Sequence, residues 1–186
     1  MRALLSLLAA VAAVASPSLA APSSMFDQFE HLCLKTRAEP VAVAKAVSEA
    51  ADWTIVRDFP SAMLPAYGGP FDHATVWSRP APDDDSILLV SGVEGPTENQ
   101  SQICTLSGPF DAAAAQAAKA WLAEIKPLSG PGPDGLYMIL ETPTGRRAAT
   151  GAELKDRSNL NKMMGLTVQT APGELTALTV FVGVER

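Results

Sequence analysis

The chain has 186 residues, 47% of them hydrophobic, 18% charged and 6% aromatic, and carries a formal net charge of −6. That length holds one ordinary domain with enough apolar surface for a core, which excludes both a multidomain machine and an extensively disordered chain. The acidic balance excludes a generic nucleic-acid binder, because such proteins draw their affinity from Lys and Arg side chains that neutralise phosphates.

Residues 1–20 read as a cleaved secretory signal. Met1 and Arg2 give a positive start, and Ala3 to Ala15 form an uncharged run too short to span a bilayer. Pro17 breaks the run, and Ser18-Leu19-Ala20 offers small side chains three and one residues before a cut. The mature chain, residues 21–186, is expected to be a single domain in the periplasm or secreted. It has no second long apolar run, so no integral membrane segment is expected in the mature form. Loss of the signal removes one Arg and no acid, leaving the mature chain more acidic still.

In the mature chain Ser24 is placed to cap a first helix, with Asp27 three residues on and Phe26, Phe29, Leu32, Cys33 and Thr36 forming one stripe. A second helix is expected from Pro40 to Asp52, since Pro is favoured at the first helical position, and Val43, Val47 and Ala51 mark its packing face. Bulky and β-branched residues from Trp53 to Val56 predict a strand. Residues 57–73 hold Pro60, Pro65, Gly68, Gly69 and Pro70, a density that predicts a long surface loop. Strands follow at 74–78 and 87–93, joined by a turn at 80–86, and a third at 101–107 has Ile103 and Thr105 on one face and Cys104 on the other.

Asp111 is placed to cap a helix over 112–126 whose stripe is Ala114, Ala118, Trp121, Leu122 and Ile125, with Pro127 as a stop. The Pro/Gly-rich stretch 127–135 reads as an exposed loop, 136–140 as a strand, and the polar stretch 142–164 shows no clear period. Strands at 166–170 and 175–184 flank the turn signal Ala171-Pro172-Gly173-Glu174. The order helix, helix, strands, helix, strands predicts an α+β domain, an antiparallel sheet with two or three helices packed on one face.

The two cysteines, Cys33 and Cys104, are an even pair in a chain bound for an oxidising compartment and are expected to form a disulfide. His31 and His73 are the only imidazoles. His73 adjoins Asp72 in the Gly/Pro loop, the one place where general-base chemistry has a local carboxylate, but the nucleophile elbow G-x-S-x-G is absent. His31 and Cys33 are soft ligands suited to Cu(I), though residues two apart on a helix face different sides. No zinc spacing, EF-hand or phosphate loop occurs, and neither a metal nor a cofactor is expected. Asp83, Asp84 and Asp85 read as a solvated turn, and Asn99-Gln100-Ser101 matches a glycosylation sequon. Arg146, Arg147, Lys155, Arg157 and Lys162 are the one basic concentration and a candidate surface for an anionic ligand or acidic partner.

Two Pro/Gly loops and few catalytic groups point to a non-catalytic binding module of the bacterial envelope, an accessory or inhibitor protein. Its expected partner is another envelope protein or a small ligand, not nucleic acid. The alternative is a periplasmic hydrolase using His73 with a nearby carboxylate, and a third reading is metal handling at His31 and Cys33.

Overall fold

The computed structural model describes residues 24–67, 71–96, 100–129, 135–171 and 175–184. The expected signal segment, the sequon's Asn99 and the centre of the 127–135 loop lie outside the described residues. The described chain is an α+β domain built on one antiparallel sheet. Its strands are β1 (Thr54–Ile55), β2 (His73–Pro80), β3 (Ser86–Glu94), β4 (Gln100–Pro109), β5 (Gly135–Thr142), β6 (Gly145–Ala148), β7 (Met163–Ala171) and β8 (Leu175–Val184). They lie in the order β1-β2-β3-β4-β8-β7-β5-β6. Three α-helices accompany the sheet, α1 (Met25–Phe29), α2 (Pro40–Glu49) and α3 (Ala112–Trp121). None of the described helices is long and apolar enough to cross a membrane.

The first helix starts where the capping logic places it. Ser24 Oγ accepts from Asp27 N at 3.1 Å while the Asp27 carboxylate accepts from Ser24 N at 3.0 Å, a reciprocal capping box. After Phe29 the helix widens into a π turn, Glu30–Leu34, closed by Lys35 N donating to Glu30 O at 2.9 Å. Three consecutive residues of the turn, Leu32, Cys33 and Leu34, are all buried. Pro40 opens α2, and the Glu39 carboxylate caps it by accepting from Val41 N and Ala42 N. This helix ends at Glu49, before the expected Asp52, which takes a left-handed φ of 73° that a continuing helix cannot hold. The third helix also ends early, at Trp121, and the rest of its stripe, Leu122 and Ile125, stays buried in the turn that follows.

Strand alternation sorts the sheet into two faces. On one, Trp77, Leu89, Leu106, Leu178 and Val168 lie in register across β2, β3, β4, β8 and β7. They share a single buried cluster with Phe26, Phe29 and Leu32, with Val43 and Val47 of α2, and with Ala114 and Ala118 of α3. Each large aliphatic or aromatic side chain so buried contributes roughly 1.5–3 kcal/mol. The same face carries Cys104, and the expected disulfide is present: Cys33 of the π turn is bonded to Cys104 of β4 with a Cα separation of 5.5 Å. Closing a loop between residues 71 apart stabilises the fold by about 4 kcal/mol in the chain-entropy account.

The polar stretch 142–164 folds into the edge strand β6 and two 3-10 segments, Glu153–Lys155 and Arg157–Lys162. A further 3-10 helix, Ser61–Tyr67, forms within the expected loop 57–73.

Candidate functional site

The face of the sheet away from the helical cluster divides into two ends. At one end Phe181 of β8 lies directly opposite Gly165 of β7, and a Cβ built at Gly165 would fall inside the Phe181 ring. Leu160, from the 3-10 segment 157–162, approaches Gly183, and Phe71 lies against Gly92. This end is closed by its own side chains.

At the other end the floor is hydroxylated. Thr105 of β4 pairs with Thr179 of β8, and Thr179 pairs with Thr167 of β7, so three threonines stand in one row across three adjacent strands. Thr105 and Thr179 are 1% and 8% exposed, and their hydroxyl oxygens are 2.9 Å apart in a mutual hydrogen bond. The next row places Leu88, Ser107, Ala177 and Gln169 side by side. Pro65 and Ala66 of the 61–67 helix and Asp85 with Ser86 bound the floor, enclosing a cleft of about 480 Å³. Hydroxyl and amide groups both donate and accept, and Leu88, Pro65 and Leu175 supply apolar contact, the mixture that orients a small ligand.

The candidates read from the sequence lie elsewhere. His73 is the exposed first residue of β2, paired with Val93, and among the described residues it has no hydrogen-bonded Ser, Thr or carboxylate. The neighbouring carboxylate is engaged, since Asp72 Oδ2 accepts from Gly95 N at 2.8 Å and so holds the end of β3. His31 is exposed and borders a cavity of about 400 Å³ with Trp53 and Arg79. Cys33 beside it is buried and bonded to Cys104, leaving no thiolate to offer a metal. Among the described residues no cysteine is free and no group of three His, Cys, Asp or Glu side chains converges. Asp83 and Asp84 both adopt left-handed backbone, with φ of 63° and 60°, in the turn between β2 and β3.

The basic residues are divided by strand alternation. Arg146 turns to the helical side, its guanidinium carbon 3.6 Å from the centre of the Trp121 ring, a cation–π contact. Arg147 points the other way and grips Glu153 with two hydrogen bonds of 2.8 and 2.5 Å. Thr150 adds its backbone N–H and its hydroxyl, each 2.9 Å from Glu153 Oε2. The Arg147 bond, then those from Thr150, hold the Glu153 carboxyl at a pKa of about 2, and the Arg147 guanidinium is pushed up in return. Arg157 and Lys162 sit exposed on one 3-10 segment, with Lys155 on the segment before it.

No protein-family model, curated protein or solved structure matches the chain.

The threonine row escaped the sequence reading because its members come from three strands whose pairing is not local. The available signal was phase: Ile103, Thr105 and Ser107 alternate with the buried Cys104 and Leu106, so the outer face of β4 turns hydroxylated toward its C-terminal end.

Proposed function

We propose that this chain is a non-catalytic binding module of the bacterial envelope, an accessory or inhibitor protein that holds its ligand in the cleft over Thr105, Thr167 and Thr179. The observation that carries this reading is the in-register threonine row, with Thr105 and Thr179 buried and bonded to each other, that floors a cleft beside the wall that Pro65 and Ala66 supply. A sheet surface destined for the core is filled with apolar side chains, whereas one kept open to a ligand keeps polar groups in fixed places. Pro65 and Ala66 of the expected loop serve, in this reading, as the wall of the site. The disulfide between Cys33 and Cys104 supports placement in an oxidising compartment, in keeping with an exported protein.

The test is affinity capture from the protein's own envelope extract, using the mature chain and a Ser107→Trp variant that fills the cleft. The wild type is expected to retain a ligand or partner that the filled variant loses while both melt at the same temperature. Equal capture by the two proteins overturns the reading. Turnover of a hydrolase substrate panel that disappears in His73→Ala overturns it in favour of the hydrolase.

A further inference from the structure

On the helical side of the sheet, Arg79 of β2 is a cation without a counter-ion. Among the described residues it has no ion pair within 4.0 Å, and its buried Nε has no hydrogen-bond acceptor. The side chain is held all the same, with the guanidinium carbon 5.5 Å from the centre of the Trp53 ring. A guanidinium fixed over an aromatic face keeps its planar fork of donors free for a carboxylate, and little conformational freedom remains to be lost when one binds. The Nε is itself buried, so an acceptor arriving from outside meets the terminal nitrogens of the fork.

Arg79 also lines a cleft of about 600 Å³ whose walls include Met25, Ile87 and Phe110. The same cleft is lined by Asp83 and Asp85, both exposed, and by Asp111, whose carboxylate already accepts from Met25 N and Ala114 N. A phosphate dianion is repelled by the exposed pair of carboxylates, and a simple carboxylic acid leaves them without a partner. A simple amine leaves Arg79 unmet. A zwitterion satisfies both sides at once.

We propose that the Arg79 cleft is a binding site for a small zwitterion with an apolar side chain, in chemical class an apolar α-amino acid. Its carboxylate takes the Arg79 fork in a bidentate, charge-assisted contact. Its ammonium faces Asp83 and Asp85, and its side chain rests on Met25, Ile87 and Phe110. This site shares Asp85 and Pro109 with the rim of the threonine cleft, but of the two clefts Arg79 lines only this one, so Arg79→Gln tests it separately.

Titration calorimetry of the mature protein with L-leucine, 4-methylpentanoate and isopentylamine separates the three contributions. Leucine is expected to bind, with each single-charge analogue weaker by about tenfold or more. Arg79→Gln is expected to weaken leucine binding by about tenfold or more without changing the thermal unfolding profile. The double variant Asp83→Asn/Asp85→Asn leaves Arg79 in place and is expected to erase the preference for leucine over 4-methylpentanoate, so it serves as a second reading should Arg79→Gln fold poorly. The proposal is overturned by the absence of leucine binding below about 10 mM. It is equally overturned by unchanged leucine binding in Arg79→Gln, or by 4-methylpentanoate binding as tightly as leucine.

Discussion

The two ends of the outer sheet face share the strands β3, β4, β8 and β7, yet one is closed and the other open. Around Phe181 the strands supply glycines, Gly165 and Gly92, and aromatic rings occupy the space that missing side chains leave. Around Thr179 they supply hydroxyls, and the buried Thr105 and Thr179 share a hydrogen bond beneath the cleft. A continuous sheet thus changes from apolar packing to a hydroxylated cleft floor within one strand pair, from Ile103–Phe181 to Thr105–Thr179, without a break in the ladder. The lesson is that openness here is built by residue choice along the strand and not by a gap in the chain's connections.

If the closed end is as tight as its geometry implies, Gly165→Val is the most damaging substitution on this face. It should cost about 3 kcal/mol, because the added carbons overlap the Phe181 ring. Ala177→Ser at the open end should change stability by less than about 0.5 kcal/mol in the same urea titration. Comparable losses at the two sites would erase the distinction. Phe181→Ala comes next, at about 2–3 kcal/mol given its partial exposure. Combining it with Gly165→Ala should cost less than the sum of the single changes, because removing the ring makes room for the methyl group.

Thr179→Val should cost about 1 kcal/mol, since it removes the hydroxyl bonded to Thr105 but keeps the shape. A loss as large as that of Phe181→Ala would make the threonine pair as important to the fold as the packed ring. The smallest effect lies at the rim, on β6. The Glu153 carboxyl sits at about 2, below its ordinary unfolded value of about 4.3, so the contribution of its ionised form is complete above that unfolded value and is lost as pH falls toward 2. Carboxyl chemical shifts should show this low titration, and Arg147→Ala should return it toward the ordinary range.

Much of the architecture was legible because it rests on local chemistry. Ser24 with Asp27, Pro40, and Asp111 mark real helix starts, since a cap is decided within three or four residues. The long strands β3, β4, β7 and β8 announce themselves by sustained apolar or β-branched runs, and the even pair of cysteines foretold the bridge. Register is another matter. Nothing near Thr105 in the chain says that Thr179, 74 residues away, will stand beside it. The basic stretch suggested one patch, but a strand alternates faces, and Arg146 and Arg147 part company at the first step of β6. Arg79 follows Trp77 at the strand period of two, which places a cation on the buried face; its significance emerges only once Trp53 and the absence of a described partner are seen.

The π turn at Glu30–Leu34 bears on which lengths of chain this fold tolerates. A π turn is an α-helix that has absorbed one additional residue, and here that residue sets the direction in which Cys33 leaves the helix axis. Deleting a single residue between Phe29 and Cys33 would turn the thiol by about 100° around the helix, away from its partner on β4. A frame shift of one residue here would leave two unpaired thiols, open under oxidising conditions to bonding between chains.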